Sequence, residues 1–165
     1  MWSRKVDACL PLGHKLVALG PPCYVLDGDN IRHGLASDLG FCRDARRENI
    51  RRAAHVARLM NDAGLIVISA LISPMHEDRI MAREIIGHER FVETYMSTSI
   101  GICAERDLKG LYAKARAGAI ESFTGVSAPY EVSVNPDLNI DTANTTVAVS
   151  VTRLFAHLLD HYLIA

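Results

Sequence analysis

The chain has 165 residues, 49% of them apolar and 22% charged, which describes one globular domain large enough for a true core. Eighteen Lys and Arg against nineteen Asp and Glu leave a net charge of −1, which argues against a nucleic-acid or anionic-membrane surface. Cys9, Cys23, Cys42 and Cys103 show no CxxC or Cys/His zinc spacing, no apolar stretch reaches membrane-spanning length, and Met1–Lys5 leads into no secretory core, so free or buried thiols in the cytoplasm are expected.

Residues 1–20 give a weak pattern. Leu16-Val17-Ala18 could close a helix ended by Gly20, but Pro11 and Gly13 are expected to interrupt any helix begun at Val6. Tyr24-Val25-Leu26 reads as a short strand that ends in Asp27-Gly28-Asp29-Asn30, a tight turn. Six arginines follow within twenty-one residues: Arg32, Arg43, Arg46, Arg47, Arg51 and Arg52. Carboxylates at a strand end can hold a metal or accept a proton, guanidinium forks grip phosphate or sulfate, and ligands of α/β proteins bind at the carboxyl ends of strands. The plain alternative is a turn followed by a solvated basic helix.

Residues 44–63 form the clearest helix, with Asp44 as N-cap, Ile50, Ala53, Ala54, Ala57 and Met60 at helical spacing, and Glu48 placed to pair with Arg52. Leu65-Ile66-Val67-Ile68 follows as a buried strand, so strand, helix and strand make a βαβ unit with parallel pairing. Ser73-Pro74 is expected to open a helix through Ile86, Ser73 acting as its N-cap. A strand over Phe91–Met96, helices over Ile100–Arg106 and Leu111–Ala117, and a long loop over 118–137 come next. Leu138–Asp141 is a last strand, and an amphipathic helix from Thr145 closes the chain. The seven histidines have no metal-ligand spacing, and no Gly-x-Ser-x-Gly or Cys/His arrangement suggests a hydrolase.

DGDNIRHGL (27–35), DLGF (38–41), RRENIRR (46–52), LISP (71–74), ERDLKGLY (105–112), KARAG (114–118) and FTGVSAPYE (123–131), in this order, resemble adenylyl-sulfate kinase. The resemblance covers roughly residues 14–160. It implies a P-loop-kinase-like α/β fold, a parallel sheet with helices on both faces, N-terminally incomplete, and a single domain over 1–165. The implied reaction transfers the γ-phosphoryl of MgATP to the 3′-hydroxyl of adenosine 5′-phosphosulfate. It implies that Asp27 and Asp29 support Mg²⁺ through water and the acceptor hydroxyl, with Asp29 favoured as base. Arg32, Arg46 and Asn49 would hold the phosphosulfate end, Phe41 and Phe123 would stack on the adenine, and the Ile72-Ser73 backbone would face the substrate. Ser73 also stands at the family's phosphoserine position, although direct in-line transfer needs no covalent intermediate. Arg106 would cover the ATP adenine, and Lys109 would approach the substrate phosphates.

The family pattern begins with a strand and a Gly-rich phosphate loop ahead of this segment. Lys5 falls where the loop lysine would sit, but Ser3-Arg4-Lys5-Val6-Asp7 stands in place of Ser-Gly-Lys-Ser-Thr, which makes Lys5 a degenerate ATP contact. Ser127 stands where the family commonly has aspartate. Beside the enzyme, two further readings are an impaired adenosine-phosphosulfate-binding regulatory module and a rearranged product stabilised by association. A homodimer is a candidate assembly that the sequence itself does not decide, and no nucleic-acid or membrane partner is expected.

Overall fold

A computed structural model describes the backbone of residues 3–107, 110–120 and 122–163; the Lys5 side chain and the whole of Lys109 lie outside the described residues. In chain order the elements are α1 (Ser3–Ala18), β1 (Cys23–Asp27), α2 (Gly28–His33), α3 (Arg43–Asp62), β2 (Ile66–Ala70), α4 (His76–Ile86), β3 (Thr94–Ser97), α5 (Ile100–Glu105), α6 (Leu111–Arg116), β4 (Leu138–Asp141) and α7 (Val147–Leu158). A 3₁₀ turn covers His88–Arg90, and a π turn follows α7 at Leu159–Leu163.

The β1–α3–β2 unit is parallel as expected, with Cys23 opposite Ile66 and Asp27 opposite Ala70. β3 and β4 form a second parallel pair, Thr94 opposite Leu138 and Ser97 opposite Asp141, and the two pairs are separate sheets. Helices cover both faces. Ile66 and Ile68 pack with Ala8, Leu12 and Leu16 of α1 and with Val151 and Phe155 of α7. Val67, pointing the other way by strand alternation, packs with Ala53 and Ala57 of α3. Ile50 and Ala54 of α3 meet Ala82 of α4 and Phe91.

Four local expectations need correction. α1 runs through Pro11 and Gly13 without a break. Pro11 is exposed, so the Asp7 carbonyl that loses its helical donor can turn to water, whereas Gly13 is buried and lets α1 approach β1. A Cβ at Gly13 would meet Val25 Cγ2 at 3.4 Å, and the Cys23 thiol donates to the Gly13 carbonyl at 3.3 Å. The DGDN stretch is a strand-to-helix junction, not a turn, with Asp27 as the N-cap residue of α2. In α3 the N-cap is Cys42; Asp44 lies in the first turn, where its negative charge suits the helix dipole. Ser73 does not cap α4, which starts three residues later behind Met75. The reason is a distant cap: the Glu131 carboxylate accepts the His76 N–H at 2.5 Å, while the Glu131 N–H donates to the Pro74 carbonyl at 2.8 Å.

The expected Glu48–Arg52 pair is present at 2.9 Å. Glu48 also accepts from Arg51 at 2.7 Å, and Arg52 reaches Asp38 at 2.6 Å. Hydrogen bonds from Arg51 and Arg52 hold the Glu48 carboxyl down at about 2. Its folded value lies below the ordinary one near 4.3, so its contribution is complete above pH ~4.3 and disappears as pH falls through ~2. Glu48→Gln should therefore melt below the parent at pH 7, with the two melting curves converging by about pH 2; circular dichroism melts at pH 7, 4 and 2 test this.

Candidate active site

The site is built where β1 ends. β1 delivers Asp27 in an extended conformation, and its Oδ1 is buried with no hydrogen-bond partner among the described residues. Gly28 then lies close to the end of β2, a Cβ there meeting the Ala70 carbonyl oxygen at 3.5 Å. Asp29 is in the first turn of α2, three residues before Arg32 and so on the same helical side.

Arg32 leaves α2 to donate from Nη1 to the Gly40 carbonyl at 2.8 Å and to the Leu39 carbonyl at 3.1 Å. Its guanidinium carbon lies 4.4 Å from the centroid of the Phe41 ring. Among the described residues its Nε and Nη2 make no hydrogen bond, leaving two nitrogens with three N–H donors for an anion. Arg46 is the junction of the site. Nε donates to the Phe41 carbonyl at 2.8 Å, Nη1 to Thr124 Oγ1 at 2.9 Å, and Nη2 to the Ser122 carbonyl at 2.7 Å. Partial burial pushes its pKa below the usual arginine value, and the Arg32 charge pushes it the same way. One cation thus ties the segment carrying Phe41 to the segment carrying Phe123, two positions 82 apart in the sequence. Phe41 is 61% exposed, an unfavourable state for a ring in water and a suitable one for a stacking platform. Phe123 stands edge-on to Tyr112, centroids 5.0 Å apart.

Asn49, three residues after Arg46 on α3, is 6% exposed, and its Oδ1 is buried without a partner among the described residues. An orphaned amide oxygen next to an arginine clamp is a ready acceptor for a ligand donor or an ordered water. The Ile72-Ser73 backbone is held from behind: Arg79 Nη1 donates to the Ser73 carbonyl at 2.8 Å, and Arg79 Nε lies 3.0 Å from Glu93. Arg106 docks on the turn after β4, giving hydrogen bonds to the carbonyls of Thr142 at 3.1 Å and Ala143 at 3.5 Å.

Two residues, Thr124 and Arg79, escaped the sequence reading. Thr124, 4% exposed, accepts from Arg46. Arg79, 7% exposed, carries a detectable signal: it shares a helical side with Ala82 and Ile86, an odd place for a charge. Ser127 takes up a local duty, its Oγ accepting the Phe123 N–H at 2.8 Å and so fixing the turn that presents the ring. Arg43, Arg47, Arg51 and Arg52 pair with acidic neighbours, as a surface role requires.

For a divalent cation, no cluster of three or more His, Cys, Asp or Glu is present among the described residues. A magnesium ion needs fewer protein ligands, commonly one or two carboxylates with phosphate oxygens and water, and the unpartnered Asp27 Oδ1 fits that need. No described helix is long and apolar enough to cross a membrane.

The family model for adenylylsulphate kinase matches residues 3–141. An adenylyl-sulfate kinase of Vibrio cholerae is 48% identical over 153 residues, 93% of this chain and 71% of the relative. One from Shewanella pealeana is 53% identical over 156 residues, 94% of this chain and 76% of the relative. Among solved structures, the Mycobacterium tuberculosis APS kinase CysC in complex with AMPPNP and APS superposes with a TM-score of 0.89 at 41% identity, over 93% of this chain and 90% of that one. The hexameric APS kinase from Thiobacillus denitrificans gives a TM-score of 0.72 at 25% identity, over 98% of this chain and 27% of that one.

Proposed function

We propose, from the premise that this chain belongs to the adenylyl-sulfate kinase family and has its P-loop-kinase fold, that it transfers the γ-phosphoryl group of ATP to the 3′-hydroxyl of adenosine 5′-phosphosulfate. The observation that carries this reading is the Arg46 clamp, which holds the Phe41 carbonyl and the Phe123 segment together beside a second cation, Arg32. In our reading Arg32, Arg46 and Asn49 receive the phosphate and sulfate oxygens, and the rings of Phe41 and Phe123 take the adenine between them. The Ile72-Ser73 backbone borders the ribose side, stiffened by Arg79. Ser73 has no covalent part in this scheme, because an in-line displacement goes directly from ATP to the hydroxyl.

Asp29 accepts the proton of the 3′-hydroxyl as the bond to phosphorus forms, and ADP leaves with the β–γ bridging electrons. Asp27, helped by Asp29 through water, would hold the magnesium of MgATP. That ion, when bound, neutralises charge on the transferred phosphoryl group. Arg106 covers the ATP adenine, Lys109 supplies a point charge to the substrate phosphates, and Lys5 is a weak ATP contact. We take residues 1–165 as one cytoplasmic domain and a homodimer as its assembly; the hexameric relative shows subunit association in that protein.

The test is a chromatographic assay for 3′-phosphoadenosine 5′-phosphosulfate formed from MgATP and adenosine 5′-phosphosulfate, run beside calorimetric titration with each nucleotide. Product formation that saturates with both nucleotides is expected. Failure to bind adenosine 5′-phosphosulfate would sink the site assignment.

A further inference from the structure

Hydrogen bonds fix where the Phe123 side chain leaves the backbone, but not how its ring is turned. The Phe123 N–H donates to Ser127 Oγ at 2.8 Å, and its carbonyl accepts from the N–H groups of Val126, Ser127 and Ala128 at 3.1, 3.0 and 3.0 Å. Ser122, just before it, has a φ of 54°, in the left-handed region, and is the one non-glycine residue with positive φ among the described residues. Arg46 holds that strained position through the Ser122 carbonyl at 2.7 Å. The χ2 torsion of a phenylalanine is broad and roughly two-fold, so a backbone held this firmly still leaves the ring plane to its neighbours.

The neighbour is Tyr112 of α6. The two ring centroids are 5.0 Å apart and the planes 74° apart, the edge-to-face arrangement that aromatic quadrupoles favour. Such a contact takes up one edge or one face of Phe123 and leaves a whole face for a flat ligand. Tyr112 has little freedom of its own. It is 4% exposed, and the Asp107 carboxylate accepts its N–H at 2.7 Å and the Leu111 N–H at 2.8 Å. Its hydroxyl meets the Cys103 thiol of α5; burial, with that thiol beside it, pushes the phenol up to about 12, so the ring stays neutral at neutral pH. The turn after Phe123 rests on the same helix, since a Cβ at Gly125 would meet Ile100 Cδ1 at 3.4 Å.

We propose that Tyr112 is a positioning residue for the substrate nucleobase: without touching the substrate, it turns the Phe123 ring to the plane on which the adenine stacks. The assignment rests on the reading of Phe123 as one of two adenine platforms. A ring already set in its bound orientation loses less freedom when the base arrives, so the edge contact tightens binding without adding a contact to the ligand. The hydroxyl explains why the position is a tyrosine: its bond to Cys103 keeps α6 in register with α5.

Calorimetric titration of the full chain with adenosine 5′-phosphosulfate reads the effect without needing turnover. Tyr112→Leu should weaken binding by at least about threefold, the scale of one aromatic pair. Tyr112→Phe keeps the ring and should bind within about twofold of the parent. In a Phe123→Ala background, Tyr112→Leu should cost less than about twofold, because the ring it positions is gone. A packing role alone would cost the same factor in both backgrounds, and that result would overturn the proposal. It would also fall if Tyr112→Leu lost less than about threefold, or if Tyr112→Phe bound as weakly as Tyr112→Leu. Two failures can be told apart. If Phe123→Ala binds as tightly as the parent, the stacking reading falls and takes this proposal with it. If Phe123→Ala binds weakly and Tyr112→Leu does not, the role of Tyr112 alone is wrong.

Discussion

Arg46→Ala is expected to lower kcat/KM for adenosine 5′-phosphosulfate by about 10²–10³-fold, most of it through KM. The guanidinium donates to three acceptors from two distant segments, Phe41 on one side and Ser122 and Thr124 on the other. Charge-assisted bonds of this kind contribute about 1.5–3 kcal/mol each, and losing two near the lower end of that range, ~3–4 kcal/mol in the substrate complex, accounts for about two to three decades. Arg46→Lys should recover only part of the loss, since a single ammonium cannot serve three acceptors set in different directions. Steady-state kinetics measure the effect, and hydrogen exchange at 122–128 reports whether the Phe123 segment has come loose. If Arg46→Ala retains kcat/KM within about twofold while exchange at 122–128 rises, Arg46 is a strap and not a substrate ligand.

Asp27→Asn should separate activity from stability. Turnover is expected to fall by about 10²–10⁴-fold, the range spanned by lost acid–base or metal-supporting groups. Stability in urea should stay equal or rise by up to about 1 kcal/mol, because the buried Oδ1 has no partner and a neutral amide is cheaper to keep from water than a carboxylate. Both measurements belong on one preparation at saturating magnesium. A variant that loses turnover and stability in parallel would mark Asp27 as a framework residue of the β1–α2 junction.

What the sequence made legible was local. The β1 strand ends at its acidic residue because an apolar run and a Gly-Asp pair lie side by side, and α3 declares itself through Ala and Ile at helical spacing. α1 was hidden because the burial of Gly13 against Val25 and Cys23 is a tertiary fact, invisible to periodicity. The start of α4 was misread for a similar reason: its cap comes from Glu131, 55 residues away. Periodicity also finds strands without saying which edges obtain partners, so two separate sheets could not be read from it. Arg32, Arg46 and Asn49 were reached by resemblance, whereas Thr124 looked like any loop threonine until the Arg46 contact gave it a role.

A guanidinium carries five N–H donors, and three of those on Arg46 are committed to internal oxygens, which leaves the second N–H of Nη1 and of Nη2 for an incoming anion. A sulfate or phosphate oxygen held there shares its nitrogen with the Thr124 hydroxyl or the Ser122 carbonyl, while the Phe41 carbonyl keeps Nε to itself. Occupancy and the tether of residues 122–124 then meet on the same two nitrogens, so whatever a bound anion does to the hold on that segment, the segment returns to the anion's affinity by the same factor.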